Sequence, residues 1–231
     1  MVDYHQIYAE QADAYDRLVR AEDWRGNLPR IINELIPPRC ERVLEVGAGT
    51  GRLTRMLPHS ARIVATEGSE AMLRVAENGL GAARTIGFCT ADARALPMRD
   101  GWADVAIAGW VFGHFCDWHE ASAEAEIDRA IGEMRRCLRP GGTAVILETL
   151  GTGTPSAGAP TPGLERYYRR MEDVFGFTRS VVETDYEFAD RRTAEELVTF
   201  FFGEETAREI GPGERPRLRE FTGLWTWTDV A

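Results

Sequence analysis

One stretch of the chain, Val43-Leu44-Glu45-Val46-Gly47-Ala48-Gly49-Thr50-Gly51, is a short apolar run that carries a single carboxylate and ends in alternating glycines. A strand entering such a turn lets the backbone bend and approach a ligand with no Cβ in the way, and a following helix offers unpaired N–H groups. Small ligands bind at strand ends of this kind. Two further carboxylates suit a nucleoside. Glu67, at the end of the next apolar run, is placed to accept both hydroxyls of a ribose, and Asp92, after the third, to accept from an adenine amine. Taken singly, the glycines also suit an ordinary tight turn or another nucleotide site, and each carboxylate a solvated loop. The dinucleotide fingerprint wants a third glycine three residues after the second; Arg52 stands there, which disfavours a nicotinamide cofactor.

Hydrophobic periodicity supplies the elements that position these residues. Tyr4, Tyr8, Tyr15 and Leu18, then Trp24, Leu28, Ile31, Ile32 and Leu35, recur at helical spacing until Pro37 and Pro38, which predicts two helices ahead of the first strand. Residues 42–46, 62–66, 86–91, 105–111 and 143–148 read as strands. Helical segments over 51–57, 69–78 and 121–138 alternate with them, Ser69 being an N-cap. Repeated βα units predict a parallel sheet with helices on both faces. Residues 151–163, rich in Gly, Pro, Ser and Thr, read as a loop. A helix over 164–175, an alternating strand over 181–188, a helix opened by the capping box Thr193-Ala194-Glu195-Glu196 and a strand over 221–228 follow.

The length of 231 residues suits one domain with a full core. A formal net charge of −10 repels a phosphate backbone, so nucleic acid is a poor partner, and no apolar run is long enough for a membrane span. Cys40, Cys89, Cys116 and Cys137 are too widely spaced for a zinc knuckle or a disulfide framework, and the first residues lack a signal pattern. A cytoplasmic protein with reduced thiols is expected.

The glycine turn with Glu45 ahead of it resembles the first motif of class I S-adenosylmethionine-dependent methyltransferases. The stretch Asp92-Ala93-Arg94-Ala95-Leu96-Pro97-Met98-Arg99-Asp100 and the later Leu138-Arg139-Pro140-Gly141-Gly142 are similar to the family's third-strand motif and its turn before strand five. The resemblance implies a Rossmann-like, seven-stranded, mostly parallel sheet with helices on both faces and a C-terminal antiparallel hairpin. It divides the single domain, 1–231, into N-terminal helices over the site (1–38), a cofactor-binding core (39–150) and a tail of loop, helices and terminal strands (151–231). It implies S-adenosylmethionine as cofactor, with Glu45, Gly47, Gly49 and Gly51 on the methionine side, Glu67 on the ribose, and Asp92 with Ala93 on the adenine. Trp110 and Tyr15 are assigned to the same cofactor wall.

Methyl transfer from a sulfonium is an in-line displacement, so orientation and desolvation supply much of the rate and a base is optional. Family members that methylate nucleobase amines carry D/N-P-P-Y/F after strand four, whereas this chain has Gly109-Trp110-Val111-Phe112-Gly113-His114-Phe115. The region looks more like small-molecule methyltransferases, including those acting on quinone precursors. His114 is the candidate base, since imidazole titrates near neutral pH; it also reads as a loop histidine satisfied by the backbone. His114, Cys116, Asp117 and His119 lack a recognised ligand spacing, and no metal is expected. Tyr8 and Tyr15, seven residues apart on one helical face, either cover the cofactor or pack on the sheet. Phe200, Phe201, Phe202, Trp225 and Trp227 are assigned to core or homodimer contact rather than to an acceptor pocket. A non-catalytic S-adenosylmethionine-binding protein, acting as a sensor or partner subunit, would show the same residues.

Overall fold

The apolar runs become the strands of one sheet in a computed structural model that describes residues 4–81, 85–119 and 121–229. Helices α1 (Tyr4–Glu10), α2 (Ala12–Val19) and α3 (Asn27–Leu35) precede β1 (Arg42–Val46). The alternating part continues with β2 (Arg62–Glu67), α4 (Glu70–Leu80), β3 (Ile86–Thr90), β4 (Ala103–Gly109), α5 (His114–Trp118), α6 (Ala123–Arg136) and β5 (Leu138–Thr152). After it come α7 (Pro162–Asp173), β6 (Thr178–Glu183), β7 (Tyr186–Glu187), α8 (Arg191–Phe202), α9 (Glu204–Ala207), β8 (Arg217–Leu218) and β9 (Glu220–Thr228).

Among the described residues seven strands form one sheet in the order β3-β2-β1-β4-β5-β9-β6. β1 to β5 run parallel, and β9 runs against both β5 and β6. The sheet is Rossmann-like, with the antiparallel strands at its C-terminal side. Strand order reverses between β1 and β4, and a parallel sheet opens a crevice at such a switch point. Val46 is in register with Thr66 on one side and Ala108 on the other, so the glycine turn, Glu67 and Trp110 leave the sheet along the same edge.

Side chains alternate across the pleat, which gives the sheet two apolar faces. Leu44, Val46, Ala106, Ala108, Ala144 and Ile146 pack with Ile127, Ala130, Ile131 and Met134 of α6. Val43, Val105, Ile107, Val145 and Leu147 pack with Leu28 and Ile32 of α3. The i, i+3, i+4, i+7 spacing on α6 places its apolar stripe against the sheet. A third cluster joins Leu18 of α2 to Tyr186, Phe188, Leu197, Val198 and Leu218, and so fastens the N-terminal helices to the segment between β6 and β9.

Several expectations change in detail. The first helical pattern breaks at Gln11, whose φ of −129° and ψ of 31° are not helical, so three helices rather than two precede β1. Residues 51–57 form only a 3-10 turn over Thr54–Met56; the chain must turn back at once to reach β2. The single strand read over 181–188 is β6 followed by β7, which leaves the large sheet to pair with β8. Helix α8 is capped by the Asp190 carboxylate, which accepts from the Thr193 N–H, and not by Thr193 itself. Ser69 caps α4 as expected, and Thr161 caps α7 with Pro162 in its first turn. No helix among the described residues is long and apolar enough to cross a membrane.

Candidate active site

At the crevice over the β1 and β4 ends lies a cavity of about 870 Å³, within the size range of cofactor sites. Gly47 opens its floor with φ at +71°, and a Cβ there would stand 2.2 Å from Val111 Cγ2, so no larger residue fits this turn. Glu45 is buried beneath the turn and lines the cavity, its carboxylate accepting from Thr54 Oγ1 at 2.7 Å. Gly49 also lines the cavity, and its N–H donates to Glu67 Oε2 at 3.0 Å. Gly51 does not reach it: this glycine lets the turn pack on α4, where a Cβ would meet Leu80 Cδ1 at 2.9 Å. Its assignment to the methionine side is therefore replaced by a packing role.

Glu67 accepts from the Gly49 and Ser69 N–H groups, and burial pushes its pKa above the usual carboxylate range. With Gly68 as a further backbone donor, one of its four lone-pair sites is left for a ligand hydroxyl, such as one of a ribose. Thr50 Oγ1 is buried in the same wall with no hydrogen-bond partner. Both features fit an adenosyl ligand. Asp92 and Ala93 line the far end, but the Asp92 carboxylate is gripped by Arg94, with Nη2 at 2.6 Å and Nε at 2.8 Å, and this pairing lowers its pKa. An adenine amine would have to share that carboxylate with a guanidinium.

Helix α1 covers the cavity. Ser69 Oγ donates to the Tyr8 carbonyl at 2.8 Å, which ties the helix to the turn that holds Glu67. Tyr8 and Tyr15 meet edge to face at 5.3 Å, although the break at Gln11 means that they do not share one helical face. Burial pushes the Tyr15 hydroxyl up to about 12. His114 stands in the cavity wall with Nε2 at 3.0 Å from the Tyr8 hydroxyl and its ring stacked on Trp118. Burial, helped by His5, lowers its pKa to about 4, so the imidazole is neutral at physiological pH and is a weaker base than the expected near-neutral one. Among the described residues no group of three or more His, Cys, Asp or Glu is arranged to hold a metal.

A second chamber of about 150 Å³ lies behind this wall and shares Tyr8, Tyr15, Arg52, Trp110 and His114 with the large cavity. Arg52 reaches Glu22 at 2.5 Å and lies 3.5 Å over the Trp110 ring, whose residue has a φ of +55°. Asp117, Glu148, Thr149, Thr152, Tyr186 and Glu220 add further polar groups to the lining. Phe201 and Phe202 pack against the third core cluster, as expected of core residues, and also line this chamber, while Trp225 is fully buried core. Glu22, Arg52, Glu148 and Glu220 escape the sequence reading because they are distant in sequence and meet only through the fold. A signal did exist for Glu148: a lone carboxylate within the apolar run Ala144 to Leu150.

Residues 44–146 match a family model described as a methyltransferase domain. A demethylmenaquinone methyltransferase of Thermus thermophilus is 31% identical over 149 residues, covering 62% of this chain and 64% of that one. A malonyl-[acyl-carrier protein] O-methyltransferase of Methylococcus capsulatus is 35% identical over 126 residues, covering 53% and 42%. The matched part is thus less than two thirds of either relative. In shape, the chain is similar to phosphoethanolamine N-methyltransferase 2 of Haemonchus contortus in complex with S-adenosyl-L-methionine. That likeness has a TM-score of 0.59 at 13% identity and covers 100% of this chain and 61% of that one. With its glycine turn, Glu67 and switch-point crevice in the matched region, the chain is similar to these methyltransferases in the sequence of its central part and in fold.

Proposed function

We propose that the protein transfers the methyl group of S-adenosylmethionine to a small-molecule acceptor. The observation that carries this reading is the pair of chambers joined at one wall: a cavity sized for the cofactor on one side, and a smaller space on the other. The cofactor supplies a methyl carbon already activated by its sulfonium. Glu67 is assigned to the ribose, Gly47 and Gly49 with Glu45 beneath them to the methionine side, Asp92 and Ala93 to the adenine, and Trp110 and Tyr15 to the wall beside the sulfonium. The aromatic lid excludes water, and the fixed wall orients the acceptor for in-line displacement, the two effects from which such a reaction draws its rate.

His114, neutral and bonded to Tyr8, is assigned to orienting the acceptor and to accepting a proton only weakly. The net charge of −10 and the small chamber favour a metabolite over a nucleic acid. The four free cysteines suit a reducing, cytoplasmic setting. Calorimetry with S-adenosylhomocysteine and with NAD tests the cofactor assignment: the first should bind and the second should not, and the reverse order would sink it. Transfer of a deuterated methyl group into a metabolite extract, read by mass spectrometry, tests turnover.

A further inference from the structure

The smaller chamber has a chemical character of its own. Among its described lining residues Arg52 is the sole Lys or Arg, and its charge is taken up by Glu22 at 2.5 Å. Glu148 and Glu220, from the neighbouring strands β5 and β9, face the same space; among the described residues Glu148 has no cation beside it, and Glu220 shares the charge of Arg52 with Glu22. Glu220 is 2% exposed; Oε1 accepts from Thr149 Oγ1 at 2.8 Å, while Oε2 has no well-formed hydrogen bond among the described residues, with the Thr152 hydroxyl as its neighbour. Glu148 is 3% exposed, and its Oε1 accepts from the Gly113 N–H at 3.0 Å and the Tyr167 hydroxyl at 3.3 Å.

Buried carboxylates without a positive partner are costly, and they persist where a ligand completes them. Burial accordingly raises the pKa of both. Aromatic rings make up much of the remaining wall, with Phe201 5.1 Å from Tyr4 and 5.3 Å from Tyr15 between ring centres. Ring faces and carboxylates together attract an organic cation and repel an anion. A neutral alcohol could bond to the Glu220 carboxyl but would leave both groups protonated, whereas a cation beside them favours their charged forms. The volume, about that of a cavity which holds benzene, limits the ligand to one small ring or a short chain.

Resting on the methyl-transfer reading above, the geometry points to a small primary or secondary amine as the acceptor, held in this chamber as its ammonium by Glu220 and Glu148. The ammonium gives one proton to the Glu148 carboxylate, which frees the nitrogen lone pair. That lone pair forms the N–CH3 bond as the S–CH3 bond of the cofactor breaks, and the sulfur keeps the bonding electrons as S-adenosylhomocysteine. The product leaves as the N-methylammonium ion, and the proton on Glu148 passes to solvent.

The test uses the full chain saturated with S-adenosylhomocysteine and three probes of equal size: benzylamine, benzyl alcohol and benzoate. Calorimetry should show benzylamine binding at least tenfold more tightly than either other probe. Glu220→Gln should weaken benzylamine at least tenfold while changing S-adenosylhomocysteine affinity less than twofold. Benzoate or benzyl alcohol binding as well as benzylamine, no binding of any probe to the loaded protein, or benzylamine binding unaltered by Glu220→Gln would each overturn the inference. If the variant does not fold, the three probes on the wild-type protein decide. Failure of S-adenosylhomocysteine itself to bind would instead overturn the cofactor assignment, and this inference with it.

Discussion

Replacing Glu148 by Gln should alter how stability depends on pH. Burial raises this carboxyl from 4.5 to about 7, so the folded protein holds a proton over a range in which the unfolded chain has released it. The sign follows directly. Below pH 4.5 both states are protonated and nothing is lost; as pH rises through the interval to about 7 the folded state is disfavoured, and above it the loss is constant. A pKa difference of about 2.5, at about 1.4 kcal/mol per pH unit, amounts to about 3 kcal/mol. Gln cannot ionise; it keeps one acceptor oxygen where the carboxylate accepts from the Gly113, Phe112 and Val111 N–H groups and the Tyr167 hydroxyl, a cost that is the same at every pH. Urea unfolding without cofactor, from about pH 5 to about pH 8, should show the wild type losing about 2–3 kcal/mol relative to Glu148→Gln. Other groups shifted the same way, Glu220 among them, are common to both proteins and drop out of the comparison. Curves that stay parallel within about 0.5 kcal/mol would refute the reasoning, because Glu148 would then titrate alike in both states.

Glu67→Ala should weaken S-adenosylhomocysteine by roughly ten- to a hundredfold in calorimetry, since a charged acceptor of the ligand is lost. It should also lower the melting temperature, because the Gly49 and Ser69 N–H groups lose their partner; unchanged affinity in a folded variant would leave Glu67 a turn residue only. Gly47→Ala forces a Cβ against Val111 at a left-handed φ and should cost about 2–5 kcal/mol in urea unfolding, a result excluded by near-wild-type stability. Arg52→Met leaves Glu22 buried without its cation and should cost about 3–5 kcal/mol, partly restored by adding Glu22→Gln. A loss under about 1 kcal/mol for the single variant would show the pair to be dispensable.

The wall of the large cavity was legible because it is local. Glu45, Gly47 and Gly49 follow one another along the chain, and Glu67 and Asp92 close successive strands whose register follows from a parallel sheet. Ser69 and its helix were legible for the same reason, since a cap acts within a turn. Arg52 was noticed only as the residue that breaks a dinucleotide fingerprint. Its pairing with Glu22 and its stacking on Trp110 depend on how α2, the glycine turn and β4 meet, which no spacing encodes. Asp92 was given a free carboxylate, but Arg94 two residues on was close enough to claim it. The near-neutral pKa expected of His114 failed because titration depends on enclosure, and the enclosing rings come from α1 and α5.

Space and synthesis disagree at one place in the sheet: β9 is the last strand made, yet it lies between β5 and β6. Thr143 and Thr228 face each other across β5 and β9 although they are 85 residues apart. While the nascent chain emerges, the β5 edge is bare and β6 has nothing to pair with, a slow, non-local closure of the kind that exposes strand edges to other chains. The large cavity draws its walls from residues up to His119, whereas Glu220 arrives only with the closing strand. A ribosome-bound or C-terminally shortened chain would therefore offer an open sheet edge to chaperones and to its own copies, and its smaller chamber would lack one wall.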